Sequence, residues 1–139
     1  MLAGPTRRAC PGESGCERPD GGARTLQFVV PLSNQSLATS GDYRNFFERD
    51  GRRFSHEIDP ATGAPVAHRL ASVSVAHTDC AMADAWATAL FVLGPERGLR
   101  LAEAQDLAAY FIVRSPDARL AEMQTPAFAA LGGRTAERA

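Results

Sequence analysis

The sequence predicts an α+β domain: a mixed, mainly antiparallel sheet with two consecutive helices packed on it. Three observations carry that expectation. Strand-like segments dominate residues 25–77, the clearest being the alternating "ASVSVAH". Apolar residues then recur at helical spacing up to Gly94, and Pro95 suits the first turn of a second helix. Finally, "LAAYFIVR" returns as a buried strand, so strands flank the helical pair.

The elements follow in order. Residues 1–23 are rich in Pro, Gly, Arg and Glu and offer little to bury, which reads as a poorly ordered or damaged segment. Residues 24–131 form the expected domain, and residues 132–139 a tail that should fray. "TLQFVVPL" has strand character, with Pro31 limiting its length. "QSLATSGDY" is a short strand ending in a turn at Gly41-Asp42. "YRNFFERDGRRFSHEI" alternates around Asp50-Gly51, a dipeptide suited to a tight hairpin. "DPATGAPV" is a loop shaped by two prolines and a glycine. Thr78 or Asp79 can cap the first helix, on which Met82, Trp86, Ala89, Leu90 and Leu93 share a face. "LAEMQTPAFAAL" reads as a last weak strand or turn. With its first clear strand near Thr25 and its helices only on the C-terminal side, the chain reads as the latter part of a larger domain.

Composition narrows the chemistry. A net charge of −1 gives no electrostatic argument for nucleic acid or an anionic membrane. All fifteen basic residues are arginine, so no lysine amine of this chain serves catalysis. The start has no apolar run of the kind a signal peptide needs, and no stretch approaches a membrane span. The three cysteines, Cys10, Cys16 and Cys80, have neither CxxC nor zinc spacing, and Cys80 reads as a small buried residue before an apolar helix. No GxSxG, P-loop or GxGxxG occurs, and "HEIDP" fails the HExxH zinc pattern because position 60 is proline.

Two segments hold polar groups where stability alone would not put them. Asp84 is the only charged residue between Ala81 and Gly94, and Thr88 lies one turn along on the same side, flanked by Phe91. Burying such a carboxylate unpaired would cost several kcal/mol. Asp84 is either a residue near the helix start favoured by the helix dipole, or, with Thr88, a pair of hard oxygen ligands for Mg²⁺. Spacing does not decide between them. In "SHEIDPATGAP", His56 ends a strand and Asp59-Pro60 opens a loop. A histidine there can take a proton from a hydroxyl at neutral pH or act as a half-buried hydrogen-bonder, while Asp59 suits a turn-capping role. His68 and His77 read as surface histidines.

Taken together, "ATSGDYRNFF", "GRRFSHEIDPATGAPV", "LASVSVAH" and "MADAWATALFVLGPERGLRLAE" resemble, in order, the C-terminal half of the ApbE-type FAD:protein FMN transferases. The resemblance implies Mg²⁺-dependent transfer of FMN from FAD to a Ser or Thr hydroxyl of an acceptor protein, with release of AMP. It implies Mg²⁺ ligands at Asp84 and Thr88 and a general base at His56. It places Ile58 against the flavin nucleotide and Ser40, Gly41 and Asp42 in the lining of its cavity, with Asp59, Thr62 and Gly63 shaping the loop that holds His56. Two departures stand out. Ala87 occupies a position where some relatives have a second carboxylate. The family's N-terminal half has no counterpart beyond "PGESGCERP", which echoes a PWxVGIxxP stretch with Gly12 for Trp and Ser14 for Val. The alternative is a non-catalytic remnant or flavin-nucleotide-binding module.

Overall fold

The computed structural model describes residues 12–19, 25–42 and 46–136. Cys10, the start of the 1–23 segment and the last three residues of the tail lie outside the described residues.

The architecture is three layers, helices on one sheet and that sheet on another. The central sheet has the order β10-β9-β8-β3, built from β3 (Ser36–Gly41), β8 (Leu70–His77), β9 (Ala108–Arg114) and β10 (Leu120–Gln124), every neighbouring pair antiparallel. Its middle strands are covered on both faces, which explains why "LASVSVAH" and "AAYFIV" are apolar or small almost throughout. On one face Leu70, Val73, Val75, Ala109 and Phe111 meet the helices. On the other, Ala76, Ala108, Tyr110 and Ile112 meet Cys16, Phe28, Val30 and Leu32. These last residues belong to the second sheet, β1 (Gly12–Glu17), β2 (Leu26–Leu32) and β11 (Arg134–Thr135), in the order β1-β2-β11.

This second sheet corrects two expectations. Within the segment expected to be poorly ordered, Gly12–Glu17 pair along β2 and bury Cys16. The sparse apolar content hid this because a single inward side chain per two residues is enough for an outer strand. Within the tail expected to fray, Arg134–Thr135 pair with Val29 and Phe28. Pro31 sits inside β2 opposite Glu13, and β11 reaches only Phe28 and Val29, so the proline's missing N–H interrupts no ladder on that side.

The first helix, α1 (Cys80–Leu93), starts at Asp79, whose carboxylate accepts the N–H groups of Ala81 (2.8 Å) and Met82 (3.3 Å). It ends at Gly94, where φ is 82°, and Pro95 opens α2 (Pro95–Ala104). Gly94 must be glycine on both counts, since a Cβ there would lie 2.9 Å from the His68 ring. The core face of α1 is Ala83, Ala87, Leu90 and Phe91. Of the expected face, Leu90 is buried, Trp86 is half-buried against the same core, Leu93 is half-buried, and Met82 and Ala89 are exposed. A helix apolar nearly all round carries no periodicity that fixes which side turns inward. Cys80, expected to be buried, is exposed as the first residue of α1.

Two small hairpins leave the layers. In β4 (Phe46–Arg49) and β5 (Arg52–Ser55) the turn is Asp50-Gly51, with φ of 53° and 73°, the double left-handed geometry that the dipeptide favours. In β6 (Ile58–Asp59) and β7 (Ala64–Pro65) the turn is held by Asp59, whose carboxylate accepts Ala61 N–H at 2.8 Å and whose carbonyl accepts Gly63 N–H at 2.8 Å. After β10, Thr125 caps the short α3 (Pro126–Ala129). Its buried hydroxyl donates to Leu107 C=O at 2.6 Å and accepts Ala109 N–H at 3.0 Å, so "QTPAF" is a hydrogen-bonded helix start.

Candidate functional site

The end of β3, the segment after β5 and one face of α1 converge. Ser40, buried at the end of β3, lies 3.0 Å from the Thr88 hydroxyl, Oγ to Oγ1. This contact exists because β3 packs directly under α1. Asp84 stands one turn before Thr88, and both are exposed, so the carboxylate is solvated and avoids the cost of burial. No acidic residue lies in the first turn of α1, so Asp84 is not placed to complement the dipole at the helix start. Phe91 does not flank the pair at the surface; it is buried in the core. Ala87 is also fully buried, so its position faces the sheet and not the Asp84–Thr88 side.

The segment after β5 brings a residue that sequence reasoning passed over. Glu57 is fixed through its backbone: its N–H donates to Ser55 Oγ at 3.1 Å and its C=O accepts Val66 N–H at 3.1 Å. Its side chain is only 11% exposed, and Oε1 lies 3.9 Å from His56 Nε2, whose own side chain is 45% exposed. Burial pushes the Glu57 carboxyl above the usual carboxylate range, the Asp84 charge adds to this, and His56 opposes it. His56, Glu57 and Asp84 are thus electrostatic neighbours. The available signal was parity: Ser55 is inward at a strand end, so Glu57, two on, turns the same way. Ile58, on β6 against α1, is 51% exposed, an apolar side chain left facing solvent.

The structure sets Asp42 apart from this group. Its carboxylate is gripped by Arg114 Nη1 at 2.9 Å and flanked by Arg53 Nε at 3.7 Å, while Arg53 Nη2 donates to its carbonyl at 3.0 Å. Asp42 lines a cavity of about 450 Å³ whose wall includes neither Ser40, Gly41, Thr88, Asp84, His56 nor Ile58. Of the turn read as cavity-lining, only Asp42 lines this one.

His68, expected at the surface, is half-buried in the same cavity's wall, edge-on to Phe91 with ring centroids 5.3 Å apart. Burial holds it below the ordinary histidine range, against the pull of the Phe91 carbonyl and the Asp42 charge. Because the folded state binds this proton less readily than the unfolded chain, His68 costs nothing at neutral pH and destabilises as pH falls below its ordinary value of about 6.5. Urea midpoints measured from pH 7.5 down to 5.5 should therefore decline in the wild type and decline less in His68→Asn.

As a donor set, Asp84, Thr88 and Ser40 offer hard oxygens, the class Mg²⁺ takes while keeping most of its waters. Among the described residues no group of three or more His, Cys, Asp or Glu side chains is arranged to hold a metal. No helix among the described residues is long and apolar enough to cross a membrane.

The family pattern described as "ApbE family" matches residues 3–111. The FAD:protein FMN transferase of Vibrio cholerae is 43% identical over 116 residues, covering 84% of this chain and 35% of that protein. The Haemophilus influenzae FAD:protein FMN transferase is 48% identical over 94 residues, covering 68% and 27%. Among solved structures, the apo flavinyl transferase ApbE of Pseudomonas stutzeri superposes with a TM-score of 0.73 at 45% identity, covering 87% of this chain and 37% of that one. The Vibrio cholerae flavin transferase ApbE gives 0.74 at 36% identity, covering 94% and 40%. The chain spans about a third of the length of the curated relatives it matches. The antiparallel sheets with two consecutive helices packed on them match part of those structures, and this chain belongs to the ApbE family.

Proposed function

We propose that the chain carries part of a Mg²⁺-dependent FAD:protein FMN transferase site. The Ser40–Thr88 contact beside Asp84, with His56 and Glu57 next to it, is the observation that supports this reading most strongly. In the proposed reaction, a Ser or Thr hydroxyl of an acceptor protein attacks the FMN phosphorus of FAD. A new P–O bond forms, the pyrophosphate linkage breaks, and AMP leaves.

Each residue has a role in that scheme. His56 takes the hydroxyl proton as the P–O bond forms. Glu57 lies where its charge stabilises the resulting imidazolium. Asp84 and Thr88 would hold Mg²⁺, with Ser40 fixing the Thr88 hydroxyl. When bound there, the cation would offset charge developing on the phosphoryl oxygens. Ile58 offers an apolar surface to the flavin nucleotide, and Gly41 keeps the end of β3 free of a side chain. Asp42 supports the same turn through its arginines.

The test is AMP release from FAD, followed by chromatography, with Mg²⁺ and an acceptor protein that becomes fluorescent on flavinylation. EDTA should suppress both products, and His56→Ala should slow both by about 10²-fold or more. Unchanged rates in His56→Ala would remove it as the base. The second reading is a flavin-nucleotide-binding module without turnover. FAD binding without AMP release would favour that module.

A further inference from the structure

The cavity beside Asp42 is walled by the β4–β5 hairpin, the segment leading into β8, and the ends of β3 and β9. Among the described residues its charged groups are four guanidiniums, Arg52, Arg53, Arg69 and Arg114, against one carboxylate, Asp42. Arg53 and Arg114 are committed to Asp42. Arg52 and Arg69 are exposed, and among the described residues neither makes an ion pair. His68 adds no charge at neutral pH, because burial disfavours its protonated form. The whole chain has a net charge of −1, so this positive excess is local. Like charges gathered at a concave surface repel one another, and an arriving anion offsets that cost. Phe54, Val66, Leu70 and Phe91 give the cavity apolar walls, and about 450 Å³ is within the range of small-molecule sites.

We propose that this cavity is a binding site, distinct from the Ser40–Thr88–Asp84 face, for a small molecule that presents a phosphate or carboxylate on a flat apolar body. Arg52 and Arg69 meet the oxyanion, since guanidinium forks match planar or tetrahedral oxyanions by paired N–H donation. Arg53 and Arg114, braced by Asp42, set the shape of the site, and Phe54 and Phe91 pack the apolar part. This assignment does not depend on flavin transfer.

Its test uses the full chain, titrated by NMR or calorimetry with phenyl phosphate, benzoate and inorganic phosphate in low-salt buffer. Phenyl phosphate and benzoate should saturate, and phenyl phosphate should bind more tightly than inorganic phosphate. Arg52→Gln and Arg69→Gln should each weaken binding about threefold, and the double variant about tenfold. Both positions are exposed, so folding is preserved in these variants. Raising NaCl should weaken binding as well. Absence of saturation by about 10 mM phenyl phosphate would overturn the proposal. So would binding indifferent to both arginine variants, or inorganic phosphate binding as tightly as phenyl phosphate.

Discussion

Phe111→Ala is expected to lose about 3–5 kcal/mol of stability, a third or more of what a domain of this size ordinarily has. Phe111 lies mid-way along β9, fully buried beneath the helices, with Val73 and Met123 as its cross-strand partners. Its ring also sets how closely α2 approaches, since a Cβ added at Gly98 would stand 3.3 Å from Phe111 Cε1 and 2.8 Å from Leu90 C=O. Truncation therefore opens a cavity at the one place where both helices and the central sheet meet, and rigid backbone on three sides limits collapse. Phe47→Ala is the matched control. That ring is 50% exposed and stacks only on Phe54 in the hairpin, so its loss should cost under about 1 kcal/mol. Urea denaturation of the two variants measures the difference. A Phe111→Ala protein within about 1 kcal/mol of wild type would mean that the helices do not rest on β8 and β9 as described.

Asp84→Ala is expected to remove the Mg²⁺ dependence of FAD binding and to abolish AMP release, while leaving stability nearly unchanged. The structural basis is exposure: Asp84 lies on the solvent side of α1, outside the buried core. Thr88→Val should act in the same direction but more weakly, because it removes a neutral oxygen and leaves the carboxylate. It also strips Ser40 of its partner at 3.0 Å. Retention of a full Mg²⁺ effect in Asp84→Ala would remove this residue from the proposed cation site.

Much of the fold was legible because local signals agreed with the tertiary outcome. Asp50-Gly51 specified its hairpin, Asp79 and Gly94 bounded α1, and Pro95 opened α2. What could not be read was decided by partners far away in sequence. Nothing near Gly12–Glu17 announces a strand; it becomes one by pairing with β2 and inserting Cys16 under the central sheet. The inward side of α1 was hidden because alanines and long apolar residues surround the helix. Thr125 takes its role from groups 16 and 18 residues back at the start of β9, since its hydroxyl serves the Ala109 amide and the Leu107 carbonyl.

The site divides in the same way. Asp84 and Thr88 stood out by their spacing on one helix, which left their role open, and Ser40 meets Thr88 through a contact 48 residues apart in sequence. Glu57 was missed although it adjoins His56, because its burial and backbone anchoring at Ser55 and Val66 are set by the fold. Asp42 was read with Ser40 as one lining, but β3 ends at Gly41, and beyond it the Asp42 carboxylate is held by Arg53 and Arg114.

The most direct test of the central claim is a fluorescence titration of FAD into the purified chain, with and without Mg²⁺. Micromolar binding that Mg²⁺ strengthens and EDTA reverses is expected. A folded chain that fails to bind FAD, or binds it equally with and without Mg²⁺, would contradict it.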